Sequence, residues 1–253
     1  MGKIIGLLNQ KGGVGKSTLA MHLAMALYHN LNFKKESNFV ALYDSDNPQY
    51  SIDAIRNEEA SLLKLALEDG NNFYSSKVQN IYKNDFVPIN IYKGDIQDVT
   101  SKIDLLKSNY EYTIIDVVGT VNTEGYNEDF IKIFDYIIVP TSTEFDVVRS
   151  TISFVASVIA PISANSDMNY GIVLNNVDSV ASGTYNMLIN DLKTNGFNVL
   201  DNVINRRKKY VSLYLRDGNK GLLSTLYPNY DKPIIGLMEE ILKNINKNKN
   251  EKE

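Results

Sequence analysis

A mostly parallel, twisted β-sheet with helices on both faces is the fold this chain predicts, and three observations predict it. Apolar runs of strand length alternate with helix-length segments as far as about residue 201. The runs are nearly continuous in apolar residues, Tyr112-Thr113-Ile114-Ile115 being typical, as expected of strands buried on both faces. The first run feeds straight into a glycine-rich turn and then a helical segment.

In chain order, strands are expected at residues 4–8, 39–43, 89–92, 112–118, 136–140 and 170–174, each from its apolar run. Helices are expected between them at 16–30, 51–68, 96–108, 127–134, 145–159 and 183–195, long enough to cross back between parallel strands. After residue 201 the alternation weakens. A last helix at about 233–245 is expected because Leu237, Met238, Ile241, Leu242 and Ile245 recur at helical spacing. Residues 246–253, all lysine, asparagine and glutamate, are expected to form a disordered polar tail. There is no internal repeat and no linker composition, so residues 1–245 read as a single domain.

Composition narrows the possibilities. Hydrophobic residues make up 43% and charged residues 22% of the 253 positions, ordinary for a water-soluble globular chain. No run approaches 18 consecutive apolar residues, so no spanning helix and no membrane partner are expected. The chain enters a strand at once, so no secretory leader is expected. With no cysteine, disulfides, zinc–thiolate sites and iron–sulfur clusters are excluded, and a cytoplasmic location is expected. At a net charge of −4, whole-chain electrostatics would not draw it onto nucleic acid, so any such binding needs a local basic patch.

The glycine turn carries the chemistry. Residues Lys11-Gly12-Gly13-Val14-Gly15-Lys16-Ser17-Thr18 lie between the first strand and first helix, the arrangement of a phosphate-binding loop. Glycines let backbone N–H groups converge on phosphate oxygens, and the helix dipole adds positive potential. Lys16 is expected to reach the β- and γ-phosphates, Ser17 to ligate Mg²⁺ through its hydroxyl, and Thr18 to touch the α-phosphate. The general pattern places glycine at position 10; here that residue is Gln10, and a second lysine, Lys11, follows it.

That departure resembles the deviant Walker A loop of the ParA/MinD family of P-loop ATPases, closest to the short ParA partition ATPases. The resemblance implies that Lys11 is the signature lysine, reaching across an ATP-bound homodimer to the partner's phosphates. Two more segments extend the likeness. Asp44-Ser45-Asp46-Asn47-Pro48-Gln49 is similar to the family's D-x-D-P-Q segment with Asn47 as an extra residue. By resemblance Asp44 holds a Mg²⁺-bound water and Asp46 positions the attacking water. Tyr112–Val118 ends an apolar run on Asp116, a Walker B pattern in which the carboxylate holds Mg²⁺, and Gly119 could offer its N–H to the γ-phosphate. Val117 and Val118 stand where relatives often carry prolines. Asn175 closes the run 170–174, where an asparagine contacts adenine in several relatives. The likeness covers roughly residues 1–205.

The densest basic run is Asn205-Arg206-Arg207-Lys208-Lys209. Short ParA relatives bind DNA without sequence preference through basic residues toward the C-terminus, so the resemblance implies DNA contacts from Arg206, Arg207, Lys208 and Lys209. A proline often stands where this chain has Asn205. Taken together, the expectation is an ATP- and Mg²⁺-dependent dimerisation switch with a ParB-like adaptor, cytoplasmic and nucleoid-associated when ATP-bound, moving a plasmid, a chromosome region or a conjugative element. The alternatives are a conjugative-transfer or MinD-like positioning ATPase, or a metabolic ligase of the dethiobiotin-synthetase type.

Overall fold

The computed structural model describes residues 1–31, 39–68, 88–119, 127–178, 182–207, 225 and 231–250. Seven strands lie among them: β1 (Lys3–Leu7), β2 (Val40–Asp44), β3 (Asn90–Lys93), β4 (Tyr112–Asp116), β5 (Tyr136–Thr141), β6 (Asn169–Val177) and β7 (Ile204–Asn205). They form one sheet in the order β3-β2-β4-β1-β5-β6-β7, every pair parallel. The helices are α1 (Lys16–Leu31), α2 (Ser51–Glu68), α3 (Ile96–Asn109), α4 (Glu128–Lys132), α5 (Phe145–Phe154), α6 (Ala160–Ala164), α7 (Ser182–Thr194) and α8 (Lys232–Asn250). A π-helical turn, Val155–Ile159, joins α5 to α6.

Each expected strand is present, with ends shifted by one to three residues. The seventh, β7, is only two residues long, too short to leave an alternation in the sequence. Strand β4 stops at Asp116, two residues before the apolar run does, so the carboxylate stands where the chain leaves the sheet. The last helix, α8, runs to Asn250, five residues beyond its expected end at about 245. Extending a formed helix adds one hydrogen bond per residue, and lysine is a good helix former. Residues 251–253 lie outside the described part.

Side chains alternate across the sheet with period two. On β1, Ile4 joins one apolar cluster while Ile5 and Leu7 join the other; on β5, Ile137 and Val139 oppose Tyr136 and Ile138. Both faces are thus filled, as the continuous apolar runs imply. Helix α1 is buried from Leu19 through Tyr28, with no solvent-facing stripe. The sheet covers one side and α8 the other, where Leu237, Met238, Ile241 and Ile245 join the same cluster. The apolar face of α8 is therefore core packing. The stretch Phe145–Ala164 does reach spanning length and a mean hydropathy of 1.6. Its Val147, Phe154, Val155, Ile159 and Ile162 are buried in the protein.

Helix α2 is held at both ends of its first two turns. Asp44 accepts from its first backbone N–H groups, as described below. Further along, Arg56 donates to Thr225 Oγ1 and to the Thr225 carbonyl, both at 2.9 Å, while the buried Glu59 carboxylate accepts from Thr225 N at 2.9 Å.

Candidate nucleotide site

Ligands of open parallel sheets bind outside the carboxyl ends of the strands. There, β1 ends in Leu7, and its neighbour β4 ends in Asp116, which pairs in register with Leu7 on one side and Asp44 on the other. The loop after β1, the start of α1 and the turns after β2 and β4 surround an open cleft of about 750 Å³. Lys16, Ser17, Thr18, Asp46 and Gly119 line it together with the loop glycines.

The loop is shaped by two left-handed glycines, Gly13 at φ 76° and Gly15 at φ 83°, a conformation that an L side chain resists. It is braced from beneath by Asn9, which sequence reasoning missed. Asn9 is buried; its Nδ2 donates to the Pro140 carbonyl and to Thr151 Oγ1, both at 2.8 Å, and its Oδ1 accepts from Lys11 N at 2.9 Å. One amide thereby ties the loop to β5 and α5. The only signal in the sequence was an asparagine at the end of an apolar strand. Gln10, at the position where the general pattern has glycine, donates from Nε2 to Ser150 Oγ at 3.3 Å. The departure from the pattern thus gives the loop a second tie to α5. Lys11 itself is exposed and does not line the cleft.

At the end of β4, Asp116 is fully buried, and among the described residues neither carboxylate oxygen has a hydrogen-bond partner. Burial pushes its carboxyl up to about 7, and the neighbouring Asp44 adds to the rise. Nearby Ser17, whose hydroxyl stands close without closing a well-formed bond, and Lys16 act in the opposite direction. Lys16 is lowered from the ordinary lysine value by burial, partly offset by Asp116 and Asp46. Each of the two groups is thus driven toward its neutral form by the same loss of water. Gly119 lies against this pair: a Cβ there would come within 2.9 Å of Lys16 Nζ.

An unpartnered buried carboxylate beside a hydroxyl is a site in need of a cation. Asp116 and Ser17 fit Mg²⁺, which takes few protein ligands and keeps phosphate and water oxygens for the rest. Among the described residues no three His, Cys, Asp or Glu side chains cluster as a metal cage. Asp44 stands differently from Asp116. Its Oδ2 accepts from Ile52 N at 2.8 Å and Asp53 N at 3.2 Å, and its Oδ1 accepts from Asp46 N at 3.2 Å. It therefore closes the turn into α2, and burial still raises its carboxyl above the usual value. Asp46 is half-buried on the cleft wall, so the extra Asn47 does not carry it out of the site.

A second pocket of about 280 Å³ opens beside the loop, lined by Gly15, Thr18, Asn175, Asn205, Arg206 and Arg207 among others. Asn175 is indeed there, but its Nδ2 donates to the Val14 carbonyl at 2.8 Å. A Cβ on Gly15 would meet that nitrogen at 2.6 Å. Asn175 therefore braces the loop. One of the two arginines is less free than the sequence suggests. Arg206 is exposed, whereas Arg207 Nη1 donates to Asp231 Oδ1 at 3.0 Å. Both border the pocket. Lys208 and Lys209 lie outside the described residues.

Solved structures share the fold of this chain at low identity. A Borrelia burgdorferi B31 protein assigned to plasmid partition and bound to AMPPNP is 23% identical, with 98% of this chain and 100% of that chain covered and a TM-score of 0.58. The MinD cell division protein of Aquifex aeolicus is 16% identical over 97% of each chain, with a TM-score of 0.59. The ParA of pNOB8 bound to nonspecific DNA is 15% identical over 98% of this chain and 99% of that one, also at 0.59. No match to a curated protein is found. The sequence pattern of one family, the CobQ/CobB/MinD/ParA nucleotide-binding domain (CbiA), matches residues 5–219. The matched span takes in the glycine loop, Asp44, Asp116 and the pocket wall alike, and the chain belongs to that family of nucleotide-binding proteins.

Proposed function

We propose that this chain is a Mg²⁺-dependent ATPase that works as a dimerisation switch in the manner of a ParA partition protein. The observation that carries the reading is the orphaned Asp116 carboxylate beside Lys16 and Ser17, beneath a glycine loop held rigid by Asn9. Ser17 and Asp116 would hold Mg²⁺, which would supply positive charge against the phosphate oxygens. Lys16 neutralises the same phosphates from the loop side, and the N–H groups from Gly12 to Thr18 cradle them. Asp46, on the cleft wall, orients the water that attacks the γ-phosphate. Lys11, exposed at the loop's outer edge, reaches the phosphates of a second copy and adds positive charge against the negative charge that develops late in phosphoryl transfer.

The dimer state is then what the cell reads. ATP closes two copies into one particle that binds DNA without sequence preference, and hydrolysis stimulated by a ParB-like adaptor releases it. Support for the DNA step comes from exposed Arg206 and from the pNOB8 ParA structure with nonspecific DNA. Arg207 contributes less, because Asp231 already engages it. On this reading the protein is cytoplasmic and joins the nucleoid when ATP-bound.

Size-exclusion with light scattering, run with ATP, ADP and no nucleotide, tests the switch. Wild type should dimerise with ATP alone, and Lys11→Ala should bind ATP yet stay monomeric. A wild type that is monomeric with bound ATP would overturn the switch. Retention on random-sequence DNA that is equal with ATP and ADP would remove the DNA step.

A further inference from the structure

The pocket beside the phosphate loop contains an unmet hydrogen-bond acceptor. Strand β6 carries a register shift between Asn175 and Val177, and Asn176 within it adopts a left-handed backbone with φ 60°. Such bulges re-aim side chains and are frequent beside active sites. β7 pairs across the shift, Asn175 with Ile204 and Val177 with Asn205. That register brings Asn205 to the same pocket wall as the loop residues Gly13, Gly15 and Thr18.

Asn205 Oδ1 is buried and, among the described residues, has no hydrogen-bond partner. Leaving a buried acceptor unpaired is costly, so a ligand that supplies a donor recovers that cost. Asn175 has its Nδ2 committed to the Val14 carbonyl, and its amide is wedged against Gly15. The guanidinium groups of Arg206 and Arg207 offer donors only. A nucleotide whose phosphates fill the glycine loop extends its base into this pocket, since Gly13, Gly15 and Thr18 border both spaces. In adenine, the donor that can meet a side-chain carbonyl is the exocyclic 6-amino group.

We propose that Asn205 selects the base, its side-chain carbonyl accepting from the 6-amino group of an adenine nucleotide. This deepens the reading of the cleft as an ATP site and rests on it. Asn205 is then a specificity residue, while Asn175 is a positioning residue that holds the loop.

The test compares two ligands that differ only in that amine: ATP and purine riboside triphosphate, which carries hydrogen at C6. Affinities of the full chain with Mg²⁺ are measured by calorimetry for wild type, Asn205→Ala and Asn205→Asp. Wild type should prefer ATP by about tenfold, the worth of one net hydrogen bond. Asn205→Ala should collapse that ratio to about one, and Asn205→Asp, which keeps an acceptor, should retain most of it. The ratio reports recognition of the amine even if a variant is less stable overall. If wild type binds both triphosphates equally, or if Asn205→Ala keeps the full preference, the assignment of Asn205 is overturned while the ATP site stands. If wild type binds neither, both readings fall together.

Discussion

The two halves of the nucleotide site are built on different plans. The phosphate half comes from one continuous stretch, Lys11–Thr18, plus single residues at the ends of β2 and β4. The base half is assembled from β6, a two-residue β7 and the start of α8, more than 150 residues away in sequence. The phosphate half concentrates unfavourable features, with left-handed glycines, a lysine stripped of water and a carboxylate that has no hydrogen-bond partner among the described residues. Features of that kind persist where the surrounding structure over-determines them, and they concentrate at functional sites. The base half is quieter, and its unmet acceptor is a neutral amide. The difference suggests that affinity is generated at the phosphates and selectivity at the base.

Substitutions can break or sharpen that division. Lys16→Ala has the largest expected effect, because it removes charge-assisted bonds from the phosphate half. Nucleotide affinity should fall by about 100-fold or more, read by calorimetry with ATP and Mg²⁺. Retained binding would mean that the glycine loop is not the phosphate cradle.

Gly15→Ala strikes the point where the halves meet. It forces a side chain onto φ 83° and places a Cβ 2.6 Å from Asn175 Nδ2. The left-handed penalty alone is about 1–2 kcal/mol, so a melting temperature lower by several degrees should accompany weaker binding of every triphosphate, aminated or not.

Asp116→Asn should act in the opposite direction on stability. In the nucleotide-free chain burial holds Asp116 at about 7, above the ordinary 3.8, so the fold favours its protonated form. That contribution is complete below the unfolded value and is lost as pH rises through about 7. The neutral amide of the variant lacks this dependence. Thermal melts at pH 8 should therefore place the variant above wild type by a few degrees, with the gap closing toward pH 4. Stabilisation by added Mg²⁺ with ATP should be weaker in the variant. A variant less stable than wild type at pH 8 would show that the buried charge is compensated in the fold.

The smallest effect is expected at the base-side rim. Arg207 pairs with Asp231 at 3.0 Å but is partly exposed, so Arg207→Ala should cost less than about 1 kcal/mol. A larger loss, or a loss confined to ATP-dependent DNA retention, would give the arginine a role that the pair with Asp231 does not explain.

The sequence made the phosphate half legible because its physics is local. Glycines that take positive φ, a lysine and a hydroxyl at the helix start leave a fixed spacing. Asp116 was legible because an apolar strand that ends in a carboxylate breaks its own pattern. The base half was legible only in part. Asn175 was placed on the pocket wall, but its bracing of the loop was not legible, because its hydrogen bond to Val14 joins residues 161 positions apart. Asn9 and Asn205 were missed for the same reason. What an amide does depends on which carbonyl or cavity folding brings beside it, and no periodicity records that. Arg207 read as a free cation because its partner Asp231 lies 24 residues on.

One packing feature sets an order on assembly. The helix that follows the glycine loop, α1, has no solvent face from Leu19 to Tyr28, and α8 supplies its outer cover. A ribosome therefore releases the loop and its helix first and their cover last. Until the 19 residues of α8 emerge, the back of α1 is bare apolar surface. The nucleotide site is thus among the earliest parts translated and among the last completed, and nascent chains stalled before Lys232 should be far more protease-sensitive at α1 than released ones.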